Sequence, residues 1–296
     1  MGRAGRTTLR RSSANELAIL SDAELQRAMK SVTSAAIPAA ILDTLDRTDP
    51  SWYAVLNRAL RKVAECDPTY LPALAATTYL PTDGRLLAAF AQPRDAVRFV
   101  LIGEGPYPRA ASATGVCFMD GAVGALWSEN GLSKAVNRAT SLRNFIKMLL
   151  VADGTLLATQ TTGSAMAEVG AAALMQNSAR IQTLAQLQQN LTAQGFLLLN
   201  ASLVFRPDVV PLKDARAWMP FLTVILVALA MGSASASVPT LVLWGKIASQ
   251  VNALPGATCF PQITAEHPYN LSFIQNRRMH ALFRPMTLLS ASAAAH

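Results

Sequence analysis

Residues 97–118 read VRFVLIGEGPYPRAASATGVCF, and the order of residue types in that stretch decides the fold. An apolar run, 97–102, stops at Gly103 and turns into Gly105-Pro106-Tyr107-Pro108, and a second short apolar run, 116–119, follows. A buried strand that opens into a Gly/Pro loop is where open α/β sheets present ligands, because the backbone there can approach a substrate closely. On these residues alone, a binding loop and a purely structural turn both stay open.

Working outward, the best strand candidates are 97–102, 196–199, 240–244 and 257–264, separated by helical runs at 136–151, 173–191, 213–231 and 247–254. Alternating strands and helices predict a three-layer α/β/α sandwich around a four-stranded, mostly parallel sheet. The Ala-, Gly- and Thr-rich stretch 152–172 reads as a loop or insertion. Residues 15–66 read as helical from the spacing of Leu17, Leu20, Leu25, Ile41, Leu42 and Leu45, with a break at Asp49-Pro50 and an end at Asp67-Pro68. The chain thus divides into a basic arm (1–14), a helical N-terminal extension (15–78), an α/β domain (79–290) and a frayed tail (291–296). The loops after the strands fall on one edge of such a sheet, where they converge on a single pocket.

Composition narrows the class. Of 296 residues, 51% are hydrophobic and 15% charged, which fits a chain with a substantial core. Lys and Arg outnumber Asp and Glu by 26 to 18, a net charge of +8 that favours polyanionic partners. Arg3, Arg6, Arg10 and Arg11 precede the first acid, Glu16; they form either a phosphate-attracting arm or a solvated tail. Cys66, Cys117 and Cys259 are widely separated, which fits a reducing compartment and argues against a disulfide framework. The apolar segment 218–231 is too short for a bilayer span, and no secretory-signal pattern opens the chain. A cytoplasmic protein with no membrane association is expected, with organelle targeting left open. No Gly-x-Ser-x-Gly nucleophile elbow occurs.

Three further motifs follow in order: FLLLNASLVFR at 196–206, LVLWGK at 241–246 and EHPYNLSF at 266–273. With 97–118, this set resembles the uracil-DNA glycosylases, whose motifs run from a water-activating loop through Gly-Leu-x-Phe, Leu-Leu-Leu-Asn and Leu-Leu-Trp-Gly to His-Pro-Ser-Pro-Leu-Ser. Trp218 stands where those enzymes carry a Trp-x-x-Phe. The resemblance covers 79–289, and it is specific as a set although each motif alone is weak.

The resemblance implies a monofunctional, monomeric DNA-repair enzyme that flips a uracil nucleotide, or another deaminated base, out of single- or double-stranded DNA and hydrolyses its N-glycosidic bond. No cofactor or metal is implied, and no lysine matches a Schiff-base position. Phe118, in Gly115-Val116-Cys117-Phe118, would stack on the flipped base, Asn200 would read its edge, and Tyr107 would wall off a thymine methyl, with Gly103 beneath. His267 would stabilise the departing anion, helped by the backbone N–H groups of Glu104 and Gly105. Leu271 would enter the vacated space in the duplex. Ser272, Pro268, Gly245, Lys246, Arg277 and Arg278 would face DNA phosphates. Lys134, Arg138 and Ser141 would replace a Pro-rich loop that the family carries and this chain lacks.

One departure stands out. The family's first motif is Gly-Gln-Asp-Pro-Tyr-His, and here Gly105 occupies the position of the water-positioning Asp, Glu104 that of Gln and Pro108 that of His. Glu104 or Asp120 is left to hold the water. A Gly-Glu-small-Pro start is closer to iron–sulfur relatives, but their cluster needs four Cys ligands and this chain has three cysteines. A catalytically silent DNA-binding protein is the alternative reading.

Overall fold

Phe196, Leu197, Leu198, Leu199 and Asn200 are all buried, as a strand covered on both faces by helices requires. They lie beside a second buried strand, 99–103, in the core of a computed structural model that describes residues 37–232 and 237–291. The expected basic arm, the helical reading of 15–36 and residues 292–296 of the tail lie outside the described residues.

In chain order the elements are α1 (Ala39–Leu42), α2 (Tyr53–Cys66), α3 (Tyr70–Ala75), β1 (Phe99–Gly103), a small hairpin of β2 (Trp127–Ser128) and β3 (Gly131–Leu132), α4 (Lys134–Arg138), α5 (Thr140–Ala152), α6 (Gly163–Ala173), α7 (Leu184–Ala193), β4 (Phe196–Asn200), α8 (Pro211–Ala230), β5 (Thr240–Trp244), α9 (Ile247–Asn252), β6 (Gln262–Ala265) and α10 (Arg277–Phe283). The main sheet has four strands in the order β4-β1-β5-β6. Every pairing in it is parallel.

Side chains alternate across the sheet. Leu101, Phe196, Leu198, Val242 and Trp244 face a core formed with α5, α6, α7 and α10. Val100, Ile102, Leu197, Leu199, Leu241 and Leu243, also buried, face the opposite layer, where α2 packs along α8. Chain order reverses around β1, so the carboxyl ends of β4, β1 and β5 open into one crevice.

Three expected boundaries are corrected. Residues 163–173, read as loop, form α6, whose Met166, Val169, Gly170 and Ala173 are buried at helical spacing. Small residues are needed there, since a Cβ on Gly170 would lie 2.3 Å from the Ser128 carbonyl oxygen. The helix expected over 173–191 instead begins at Leu184, where Thr183 and Gln186 form a reciprocal capping box. The strand expected over 257–264 starts only at Gln262, because 257–259 is a 3-10 turn entered through left-handed Gly256.

A buried polar cluster joins α3, α8 and the loop after β4. Arg206 donates to both carboxylate oxygens of Asp214, Nε at 3.1 Å and Nη2 at 2.6 Å. The Tyr70 hydroxyl donates to Asp214 Oδ1 at 2.7 Å. Removing one partner of a buried ion pair strands the other charge, at a cost of about 3–5 kcal/mol. Arg206→Met is therefore expected to lower unfolding free energy in a urea titration by about 3 kcal/mol; a loss under about 1 kcal/mol would mean that the Asp214 carboxylate is solvated.

Candidate active site

The site begins at the register of β1 and β4, which sets Gly103 against Asn200. A Cβ on Gly103 would sit 2.5 Å from Cys117 Sγ and 3.3 Å from Asn200 Oδ1, so only glycine leaves room for both. The loops leaving the two strands stay joined: Ala201 N donates to Gly103 O at 2.8 Å and Ser202 N to Glu104 O at 3.0 Å. The first loop returns to the sheet when Cys117 N donates to Leu198 O at 3.0 Å. It turns at Gly115 (φ +82°), where a Cβ would collide with the Arg85 carbonyl oxygen.

Phe118 follows with φ +67°, a left-handed conformation costly for a residue with a bulky side chain. Its ring meets Phe145 and Trp244 in T-shaped contacts at 5.4 and 5.3 Å and lines the cavity beside them. Burial pushes the neighbouring Cys117 thiol up to about 12, so it is packing, not a nucleophile.

These loops enclose a cavity of about 200 Å³. Gly103, Glu104, Gly105, Tyr107, Phe118, Asn200 and His267 all line it, with Thr114, Cys117 and Ser141. Asn200 is 4% exposed, and its amide faces the cavity with no protein hydrogen-bond partner among the described residues. The Tyr107 hydroxyl points at the Phe118 carbonyl oxygen, 3.5 Å away, and burial raises its pKa.

His267 Nδ1 accepts the Tyr269 backbone N–H at 3.1 Å, so in the neutral ring the proton sits on Nε2. The ring is open to solvent, as a group at a cavity mouth must be. Surrounding loops nevertheless strip enough water to hold its pKa below the usual 6.5, against the opposing pull of the Glu104 carboxylate. Gly245 (φ +72°) underlies it, and a Cβ there would lie 2.9 Å from His267 Cβ.

The other expected residues are not in the cavity lining. Pro268 is buried, while Ser272, Lys246, Arg277 and Arg278 are exposed, and Leu271 is 70% exposed. Arg277 and Arg278 open α10, where Asn276 Oδ1 accepts the Arg278 N–H. Lys134 and Arg138 are exposed on α4; the 131–141 stretch is not a loop but β3, α4 and the start of α5. Asp120, one of the two candidates for holding the water, is not in the cavity lining. Its carboxylate accepts the Ala122 N–H at 2.9 Å and pairs with Arg109 at 3.6 Å. Trp218 is fully buried between Tyr70 and Phe221.

The fold matches that of the wild-type UNG of Nitratifractor salsuginis with a TM-score of 0.76 and 38% identity, over 85% of this chain and 97% of that one. A single-residue variant of that UNG superposes with a TM-score of 0.77. A uracil-DNA glycosylase of Corynebacterium glutamicum is 29% identical over 206 residues, covering 67% of this chain and 72% of the relative. One of Parafrankia is 34% identical over 74 residues, a match that spans 33% of that relative's length. No family model matches the chain. The chain belongs to the uracil-DNA glycosylase family.

Within that family fold, the sequence reading overlooked Asn144. It is fully buried on α5, and its Nδ2 donates to the carbonyl oxygens of Pro268 at 2.7 Å and Tyr269 at 3.3 Å. A lone amide among Leu142, Phe145 and Ile146 was the available signal, since a buried polar group requires a partner. The loop is tied again where Asn276 Nδ2 donates to Glu266 Oε2 at 2.7 Å.

A wall only Glu104-Gly105-Pro106 thick divides the cavity from a second one of about 340 Å³ that reaches Arg206 and Asp214. Asn200 and His267 both line the smaller cavity.

Because burial outweighs the Glu104 charge, NMR titration of His267 should give a midpoint below 6.5. Glu104→Gln, which removes the upward pull, should move it lower still; an unchanged or higher midpoint would mean the two side chains do not interact.

Proposed function

We propose that the chain excises uracil from DNA by hydrolysis, leaving an abasic site. One observation carries this reading: a neutral His267, with its proton directed to Nε2, lines the same base-sized cavity as the unpaired Asn200 amide. An enzyme acting on a base must extrude it from the stack and read it by stacking and edge hydrogen bonds. Phe118 offers the stacking face. The Asn200 amide both donates and accepts, matching O4 and N3–H of uracil and mismatching cytosine. Tyr107 fills the space a thymine methyl would need.

The reaction breaks the C1′–N1 bond, and the bonding pair departs with the base, giving a uracil anion and a sugar oxocarbenium ion. His267 Nε2–H donates to O2 of the anion, with the Glu104 and Gly105 backbone N–H groups on the same oxygen, and so stabilises charge that exists only late in the reaction. Water adds to C1′, and its proton passes through solvent to the departed uracil anion, giving neutral uracil and the abasic hydroxyl. Gly105 supplies no carboxylate at the family's water-positioning site, and Glu104 is the one acid in the cavity lining. Glu104 therefore takes the orienting role, at a lower rate than an in-place Asp would give. The exposed Lys246, Ser272, Arg277 and Arg278 act in this reading as phosphate contacts, which position the duplex without reading sequence.

Incubation with uracil-containing oligonucleotides followed by alkaline treatment should cut the strand at uracil. His267→Ala should lower the single-turnover rate by roughly 100-fold, the typical cost of removing one such donor, and weaken DNA binding far less. Binding without any strand scission by the wild-type chain would instead mark a silent DNA-binding protein.

Gly105 lies outside the left-handed region, and a Cβ there would meet Ser202 at an ordinary 3.6 Å. Gly105→Asp should therefore fold normally and raise the single-turnover rate by roughly tenfold or more, within the range of a positioned base. Glu104→Gln should slow the wild-type enzyme. If the first variant is no faster and the second no slower, water needs no protein carboxylate here.

A further inference from the structure

Where the resembled motif has Ser-Pro between the His-Pro pair and the inserting Leu, this chain has Tyr269-Asn270. Tyr269 is 67% exposed and Leu271 70% exposed. A single exposed apolar side chain is ordinary. Two large ones two residues apart, followed in the chain by exposed Arg277 and Arg278, call for a ligand surface.

The backbone beneath them is held firmly. Tyr269 N–H is committed to His267 Nδ1 at 3.1 Å, and Asn270 N donates to His267 O at 2.9 Å, closing the turn. The buried Asn144 amide holds the Pro268 and Tyr269 carbonyls from below. Tyr269 is thereby fixed two residues from His267, which lines the base cavity, with its ring left in solvent. A ring on a rigid backbone loses little freedom on contact, so its stacking energy is not spent on ordering the loop.

We propose that Tyr269 is a second nucleobase contact: its ring stacks on the base next to the flipped nucleotide, while Leu271 occupies the vacated position. The inference rests on the DNA glycosylase reading. Base–aromatic stacking is tolerant of sequence because every base has a π-face. Its benefit is greatest where the flanking base is not already stacked in a duplex, so Tyr269 favours single-stranded substrate. Leu271 matters most where a stack must be broken.

The test measures KM and kcat for uracil release from single-stranded and duplex oligonucleotides by the full chain and its Tyr269→Ala, Tyr269→Phe and Leu271→Ala variants. Tyr269→Ala is expected to raise KM on single strands roughly tenfold, within the range for one stacked base, and on duplex clearly less. Leu271→Ala should show the reverse preference. Tyr269→Phe should match the wild type, since stacking needs the ring and not the hydroxyl. Replacing the bases flanking uracil with abasic spacers should erase the difference between wild type and Tyr269→Ala. An unchanged KM for Tyr269→Ala, an equal loss on both substrates, or a Phe variant as weak as Ala would each overturn the proposal. If the wild-type chain releases no uracil, the glycosylase reading itself fails, a different result from an active enzyme indifferent to Tyr269.

Discussion

A methyl group at Gly103 would lie 2.5 Å from the Cys117 sulfur, and the rest of the site is organised around the space that glycine leaves. With no side chain there, Cys117 packs against the end of β1 and carries Phe118 into position beside Trp244. The same gap lets Asn200, the register partner of Gly103 on β4, turn its amide into the cavity. A larger residue would push apart the two loops that form the base-sized space, though the sheet below could still assemble.

The sheet was legible because its strands are short, buried on both faces and rich in Leu, Val and Ile, which makes parallel strands separated by helices the natural solution. The cavity lining was legible only through motif order, since Asn200 and His267 are far apart in the chain and nothing local marks them as neighbours. What escaped was small-residue packing. Residues 163–173 are mostly small because α6 lies against the β2–β3 hairpin, so their helical periodicity is written largely in Ala and Gly, with only Met166 and Val169 as larger apolar marks. Asn144 escaped for a related reason: its partners are backbone carbonyls of a distant loop, and carbonyls leave no trace in residue identity. Asp120 looked available from sequence, yet Ala122 and Arg109 already hold its carboxylate.

Rigidity at the site has two sources of opposite character. Phe118 is held in a left-handed conformation, a local cost that persists because the Cys117–Leu198 hydrogen bond and the aromatic cluster overdetermine its place. The His267 loop carries no such strain; it is immobilised by satisfied polar groups, Asn144 from the core side and Asn276 from α10. Both devices fix geometry before a ligand arrives. Electrostatic stabilisation is most effective when no reorganisation is left to the reacting state.

That preorganisation bears on how the chemistry tolerates Gly105. Cleavage of a deoxyribosyl bond places negative charge on the base and positive charge on the sugar before water attacks, so the protein must stabilise two opposite charges at once. In the proposed mechanism His267 serves the first, which requires a neutral ring with Nε2–H free to donate. Glu104, proposed to serve the second, pulls the imidazole toward protonation. Partial desolvation of the His267 ring by the surrounding loops is the larger of these influences and lowers its pKa despite Glu104, so one cavity can hold a carboxylate and a neutral imidazole together. A carboxylate at position 104 is therefore compatible with the leaving-group role proposed for His267. The balance depends on the loops that exclude water from the ring, which ties the chemistry back to Gly245 and Asn144, residues that do not line the cavity.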